Sequence, residues 1–289
     1  MSGVRRSGEA GFTLIEALIA LTIGTFVVLM ASGVFVAQSD FYEFVVRQSR
    51  AQDDARSVVQ SMRRILPTVP SGGFVVATAD RMVVRRPQSV GVVCATPSPS
   101  TGYVLLTSGA AAVDEAAAAG LALYTPAVGA VPPSWTFFDT NVSSVITGYG
   151  GIAAEACFLA GADTVGVRDD FATISASVSG ASPAPGDVVM IYEEFELELA
   201  PSTLNGQQYA LFQGISGETL VEFASGLASD ASFEYRTGGT TWQSTVSGAA
   251  LADIDAVRID ARSELRGSAA GESDARFELS VVIPVGGGP

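Results

Sequence analysis

The chain contains no histidine and no lysine, so all 16 of its basic residues are arginines. Without an imidazole it cannot carry out Ser-His or Cys-His catalysis, and no histidine can ligate a metal ion. Its two cysteines, Cys94 and Cys157, are too few for a thiolate zinc site. We therefore expect no catalytic residues, no metal centre and no cofactor, and we predict that the chain is not an enzyme.

Basic charge is scarce throughout the chain, with 30 acidic residues against 16 basic ones and a formal net charge of -14. The shortage is greatest between Pro87 and Tyr235, where the only basic residue is Arg168. Proteins that bind nucleic acid need clustered Lys and Arg to neutralise phosphates. We therefore expect no direct nucleic-acid binding, and we interpret the acidity as net charge that keeps the chain soluble.

One long apolar run lies near the N-terminus. From Phe12 to Ala37 the only charged residue is Glu16, and the run exceeds the roughly 20 residues that a helix needs to cross a bilayer core. A leader, Met1–Gly11, precedes it and carries two arginines. A secretory signal peptide would place a small-residue cleavage site after a shorter apolar core. Here the small residue, Gly11, comes first, so cleavage after it would leave the apolar run on the mature protein.

Glu16 is unusual in such a segment, because an ionised carboxylate in hydrocarbon costs roughly 2.5–3.5 kcal/mol and usually has a dedicated partner. Cleavage after Gly11 would create an amine at Phe12, about one helical turn from Glu16. That pair is strained within one chain, but a neighbouring subunit shifted along the axis could present its amine to the carboxylate. The alternative is a helix-end carboxylate that is protonated or reaches the lipid headgroups.

The sequence GFTLIEAL at residues 11–18 resembles the N-terminal motif of type IV prepilins and type II secretion pseudopilins. It combines a basic leader, a glycine, an aromatic residue and a glutamate four residues later. The resemblance implies that prepilin peptidase cleaves after Gly11, that Phe12 is the N-methylated first residue, and that Glu16 pairs with a neighbour's N-terminus. It also implies three partners: the inner membrane, prepilin peptidase, and other pilin or pseudopilin subunits.

A helical pattern continues beyond the apolar run and predicts one helix over residues 12–66. Residues recurring at spacings of three and four are Phe41, Phe44, Gln48, Ala51, Ala55, Val58, Met62 and Ile65. Such spacing is typical of one helix face, and Pro67 ends the helix. We predict a transmembrane or filament-core part at 12–37 and an amphipathic part at 38–66 that packs on a globular head. The alternative is a coiled coil extending from a membrane anchor.

The head, residues 74–289, has the patterns of antiparallel strands. Phe74–Ala77 and Arg81–Arg85 predict a hairpin, and Ile254–Leu265 alternates apolar and polar residues. From about 87 to 185 the chain is rich in Gly, Ser, Ala and Pro, which predicts an irregular insertion. Within it, strand-like pieces occur at Gly102–Thr107 and Trp135–Phe138, and Val113–Ala119 suggests a short helix. The predicted fold class is α+β and pilin-like: a long N-terminal helix packed on an antiparallel β-sheet head with an irregular insertion.

A group of acidic residues follows the insertion. Phe195, Leu197 and Leu199 alternate with Glu194, Glu196 and Glu198, and Glu193 precedes them. Side chains at period two share one face of a strand. We interpret these acids as a solvated face and not as a calcium or acid–base site.

Arginines precede the apolar run, whereas the first charged residues after it are acidic. Because basic flanks stay in the cytoplasm, we predict that the leader is cytoplasmic and that the head lies outside. Two cysteines in an exported head predict a Cys94–Cys157 disulfide.

The order of elements after the helix resembles PilW-type minor pilins and the J-type minor pseudopilin of type II secretion. That resemblance implies a minor structural subunit of a type IV pilus, a single-pass protein that is located first in the inner membrane and then in the pilus at the cell surface. Because large heads would crowd one another in the filament and Glu16 needs a neighbour's N-terminus, we predict a position in a tip or priming complex. The alternatives are a minor pseudopilin in a periplasmic pseudopilus and a membrane-tethered adhesin or binding protein, with a tethered carboxylate-based enzyme a distant third.

Overall fold

The computed structural model describes residues 13–98, 101–106, 113–114, 116–127, 133–138, 145–147, 171–175, 184–204, 206, 208–265 and 275–285. For residues 94–98, 101–106, 145–147, 171–175, 262–265 and 275–278 it describes the backbone alone. Within these residues the chain forms one long N-terminal helix packed on antiparallel β-structure. The predicted α+β, pilin-like fold is confirmed.

The N-terminal helix α1 extends from Leu14 to Ile65 and continues as a single 3-10 turn, Leu66–Thr68. Its 52 residues give a length of about 78 Å at 1.5 Å per residue. Pro67 lies in the 3-10 turn and cannot donate the backbone hydrogen bond that would continue the α-helix. The single continuous helix that the sequence predicts is therefore confirmed.

The predicted helix stripe is buried only in its C-terminal part. Ala51, Ala55, Val58 and Met62 are each 0% exposed, whereas Phe41 is 68% exposed. Phe41 lies on the part of α1 that extends beyond the head, so no sheet residue covers it. The interpretation of Phe41 as part of the face packed on the head is therefore wrong.

The strands belong to one antiparallel sheet. They are β1 (Phe74–Ala77), β2 (Arg81–Ser98), β3 (Thr101–Leu106), β4 (Ala118–Thr125), β5 (Ser134–Phe138), β6 (Val145–Thr147), β7 (Phe171–Ser175), β8 (Val188–Pro201), β9 (Tyr209–Ile215), β10 (Val221–Leu227), β11 (Ser232–Thr237), β12 (Trp242–Gln243), β13 (Ile254–Leu265) and β14 (Ala275–Pro284). The main order is β12-β11-β13-β10-β9-β8-β2-β3-β7-β6; β1 pairs with β2, β14 with β13, and β4 with both β5 and β8. The predicted hairpin is β1–β2, with Phe74 opposite Val84 and Ala77 opposite Met82.

The main core lies between α1 and the sheet. The helix packs against β10, β13 and β14, strands whose inward residues alternate along the sequence as predicted. Val257, Ile259 and Ala261 on β13 are all 0% exposed. Met62 and Leu66 join them in a single hydrophobic cluster, so the C-terminal third of the helix is part of the head.

The region 87–185, predicted to be irregular, contributes several strands to the sheet among its described residues: the end of β2 and all of β3 to β7. β2 continues past Pro87 to Ser98, and the register of β2 against β8 shifts between Pro87 and Ser89. Proline in a sheet is tolerated at such a bulge, because no ladder hydrogen bond is needed there. The short helix predicted at Val113–Ala119 is wrong, since a turn at 116–117 leads into β4 at Ala118. Pairing of β4 with β8 outweighs the helix propensity of the alanines there.

Candidate assembly site: the exposed helix and Glu16

The N-terminal half of α1 is uncovered by the head. Every residue from Thr13 to Glu43 is exposed, including large apolar side chains such as Leu14 (84%) and Phe35 (74%). An exposed apolar surface of this extent marks contact with a membrane or with other proteins. Within the described part of the chain, the segment Leu14–Thr68 is long and apolar enough to cross a membrane.

Two threonines in the exposed half of the helix, Thr22 and Thr25, have their hydroxyl groups satisfied within the helix. Thr22 Oγ1 donates to the Ile19 carbonyl at 2.8 Å, and Thr25 Oγ1 donates to the Leu21 carbonyl at 2.8 Å. A polar group in lipid must find its partner inside the protein, because no water is available there. The two hydroxyls therefore add little to the cost of placing this helix in an apolar environment.

Glu16 lies in the first turn of α1, and Thr13 is the N-cap residue. The Glu16 backbone N–H donates to Thr13 Oγ1 at 3.3 Å, and Thr13 Oγ1 lies 3.5 Å from Glu16 Oε2 in donor geometry. A Thr-x-x-Glu arrangement at a helix start resembles a capping box, and a carboxylate in the first turn interacts favourably with the helix dipole. Thr13 was missed as a residue of this site, although its spacing from Glu16 is visible in the sequence.

Two carboxylates of β8, Glu193 and Glu196, are buried in ion pairs with arginines of β2. Glu196 is 5% exposed; it accepts hydrogen bonds from Arg81 Nε at 2.6 Å and Nη2 at 3.1 Å, and from Ser216 Oγ at 2.9 Å. The Arg81 hydrogen bond lowers the pKa of Glu196, against the opposing effect of burial. The interpretation of Glu196 as solvated is therefore wrong, because Arg81 in β2 and Ser216 in the turn after β9 supply polar groups that cover it.

Glu193 is also buried, at 6% exposure. It accepts hydrogen bonds from Arg86 Nε at 2.5 Å and from Gln88 Nε2 at 3.0 Å. Glu194 lies 3.8 Å from Arg85 Nε, and the Arg85 guanidinium lies 4.6 Å from the centre of the Phe137 ring. Glu193 and Glu194 thus pair with arginines of β2, and one of these arginines, Arg85, also contacts Phe137 of β5. In the described residues, no three His, Cys, Asp or Glu side chains are grouped to hold a metal ion.

Several predicted site residues lie outside the described structure. Gly11 and Phe12, the predicted cleavage and methylation positions, precede residue 13, where the description begins. The backbone of Cys94 lies in β2, but neither its side chain nor Cys157 is described. Cleavage, methylation and the disulfide all remain predictions.

The comparison with known families identifies the motif in this part of the chain. A model of the prokaryotic N-terminal methylation motif matches residues 6–32. No curated protein and no solved structure matches the chain significantly. The matched segment contains Gly11, Phe12 and Glu16 and includes the first half of the exposed apolar helix.

The matched motif and the exposed helix together support a type IV pilin-like protein. They support processing by prepilin peptidase, assembly with other pilin subunits, and an N-terminal membrane anchor. The motif points to a structural protein of the pilin type. The match ends at residue 32, before the head begins.

Proposed function

We propose that this chain is a minor structural subunit of a type IV pilus. Prepilin peptidase cleaves after Gly11, the new N-terminal residue Phe12 is methylated, and the subunit assembles through α1 with its head outside the cytoplasm. The chain is first a single-pass protein of the inner membrane and then a component of the filament at the cell surface. Its partners are other pilin subunits in a tip or priming complex.

The observation that carries this proposal is the position of Glu16. Glu16 is the only charged residue between Phe12 and Ala37, and it lies in the first turn of a helix that no part of the head covers. A carboxylate is expensive in such surroundings unless a positive group pairs with it. Processing would give a neighbouring subunit a positively charged N-terminal amine. In a subunit shifted along the helix axis, that amine would lie near Glu16.

The size of the head supports a minor position. A compact head spanning Phe74–Pro289 has a radius of gyration of roughly 17 Å. Heads of that size around a narrow bundle of helices would crowd one another if every subunit carried one. A low-copy position near the tip relieves the crowding, while Glu16 still needs a neighbour's N-terminus.

Purified filaments provide the first test of this proposal. Mass spectrometry of sheared filaments should detect a chain that begins at methylated Phe12, at an abundance well below that of the main pilin. An intact leader on the assembled protein would refute processing, and a chain that is the most abundant pilin would refute the minor role. A chain found only as a dispersed membrane protein would favour a tethered adhesin.

Substitution of the carboxylate provides the second test. Glu16→Ala should leave membrane insertion intact, because it removes a costly charge, but should lower incorporation into filaments at least about tenfold. Glu43→Ala, which removes an exposed acid further along the same helix, is the matched control and should assemble normally. Normal assembly of the Glu16→Ala variant would show that the intersubunit pair does not form.

A further inference from the structure

Two aromatic residues of α1 lie between the end of the apolar run and the part of the helix that the head covers. Phe41 is 68% exposed and Tyr42 is 70% exposed, and we call them the aromatic pair. Glu43 is also exposed, and Phe44 is the first residue of α1 that is partly buried. The aromatic pair is therefore not part of the main core of the head.

The apolar part of α1 is longer than a bilayer core. From Leu14 to Ala37 it measures about 36 Å, whereas the hydrocarbon core is about 30 Å thick. Tilting alone would need an angle of about 35°, whereas transmembrane helices average about 20°. Some of the apolar part therefore lies outside the core, and other residues of the helix must set its depth in the membrane.

The distance between Glu16 and the aromatic pair matches the full thickness of a bilayer. Tyr42 lies about 39 Å along the helix from Glu16, and a bilayer with its headgroup layers is about 40–45 Å thick. At equal depths on opposite sides, each residue lies about 4–5 Å outside the hydrocarbon core, within a headgroup layer. The midplane of the bilayer then falls at Leu29, about 5 Å further along the helix than the middle of its apolar part.

This placement takes the Glu16 carboxylate out of hydrocarbon. With the apolar part centred, Glu16 would lie about 14 Å from the midplane, just inside the core, where an unpaired carboxylate is costly. The shift exchanges residues 17–18 for residues 36–37 within the core, and all four are apolar. Gln38 then lies at the boundary, where a long side chain can extend its polar end to the headgroups.

We propose that the aromatic pair anchors α1 in the headgroup layer on the side of the head, and thereby holds Glu16 in the opposite headgroup layer. The partner is the lipid surface of the membrane that the N-terminal anchor enters, and the pair continues the exposed apolar surface of that anchor. Tyr is enriched at this level of membrane proteins, and Phe rings insert at the same boundary. The inference rests on the membrane stage of the proposed function and adds the depth of the unassembled subunit.

The charges beside the aromatic pair favour a hydrated lipid surface over a dry contact with another helix. Asp40 and Glu43 flank the pair, and both are exposed. A headgroup layer leaves these carboxylates in water, whereas a tight protein contact at this level would have to pair or desolvate them. Acidic residues on this side also agree with the basic leader on the other side of the membrane.

Depth-dependent fluorescence quenching tests the proposal on the full-length protein in vesicles of phosphatidylethanolamine with a minor fraction of phosphatidylglycerol. Tryptophan replaces Leu21 or Met30, which are 72% and 71% exposed, and the signal of the unsubstituted protein is subtracted. The proposal places Met30 about 2 Å and Leu21 about 12 Å from the midplane. A nitroxide at the end of the acyl chain should therefore quench Met30→Trp at least about twofold more than Leu21→Trp. Equal quenching, expected when the apolar part is centred, would overturn the proposal.

Removal of the rings tests whether they cause this depth. Phe41→Ser combined with Tyr42→Ser should make the quenching of the two probes equal, whereas the control Val45→Ser, beyond the headgroup layer, should preserve the difference. A difference that persists without the rings would refute the anchor.

A third probe separates the anchor from the proposed function. Tyr42→Trp should be quenched by a nitroxide on the lipid headgroup. If Leu21→Trp and Met30→Trp are quenched but Tyr42→Trp is not, the aromatic pair lies outside the lipid and only the anchor is refuted. If none of the three is quenched, α1 does not enter the bilayer, and the membrane stage of the proposed function is refuted.

Discussion

The packing of α1 on the sheet predicts a large difference between two methionines of the same helix. Met62 is 0% exposed and belongs to the main core, whereas Met30 is 71% exposed on the protruding half. Met62→Ala removes three heavy atoms from a site closed by both helix and sheet, and such changes cost about 2–5 kcal/mol. That is a large part of the 5–15 kcal/mol that typically stabilises a domain. Met30→Ala removes the same atoms from a surface that makes no contact with the head, so it should leave head stability unchanged.

Tryptophan fluorescence provides an assay that reports on the head. Trp135 and Trp242 lie in β5 and β12, and α1 contains no tryptophan. Urea unfolding of the full-length protein in detergent should show a midpoint lowered by roughly 1–2 M for Met62→Ala, given a denaturant dependence of about 2–3 kcal/mol per molar. Equal midpoints for the two variants would contradict the packing of α1 on β10, β13 and β14.

Three further predictions concern the head. Arg81→Ala and Glu196→Gln should each cost about 1–2 kcal/mol and be coupled in a double-mutant cycle, less than for a fully buried pair because the Arg81 side chain is 46% exposed. Glu218→Gln, which removes an exposed acid from the turn after β9, is the control, and additive effects of the first two substitutions would exclude the pair. Because the folded-state pKa of Glu196 is lowered, this contribution is present above the carboxylate's unfolded pKa and is lost as pH falls through the folded pKa. Gly120→Ala should destabilise the head by about 1–3 kcal/mol, since its Cβ would lie 2.2 Å from a β5 carbonyl oxygen, whereas Gly206→Ala, with open space around it, should not; the urea midpoints decide. The two cysteines should resist alkylation in native, unreduced protein, their bond contributing up to about 4 kcal/mol; labelling of both would exclude the disulfide.

The helix and the C-terminal strands were predictable because their burial repeats along the chain. Residues spaced by three and four from Ala51 to Met62 face one layer of sheet, so the 3.6-residue period is visible in the sequence. The period alone does not say where the head ends, and Phe41 was therefore misassigned. In β13 and β14 one face is buried and the other wet, so apolar and polar residues alternate.

Burial that depends on distant residues was not predictable. The alternation of β8 shows which face Glu196 occupies, but not that Arg81 in β2 and Ser216 in the turn after β9 cover it. Similarly, Pro87 in the sequence predicts the end of a strand. The sequence does not show the bulge that accommodates this proline within β2. The Thr13–Glu16 hydrogen bonds are local and could have been predicted, whereas the intersubunit role of Glu16 depends on a second chain and remains a proposal.

The packing of α1 on β13 and β14 also has a consequence for the order in which the head folds. The helix leaves the ribosome first, yet two of the three strands on which it packs, β13 and β14, begin only at Ile254. At about 5–20 residues per second, synthesis of the intervening chain takes roughly 10–40 s. Closing so long a loop carries an entropic cost, and contacts so distant in sequence form slowly. The newly made subunit therefore waits in the membrane with an open helix face until its last strands arrive, and a chain truncated before β13 cannot complete its core.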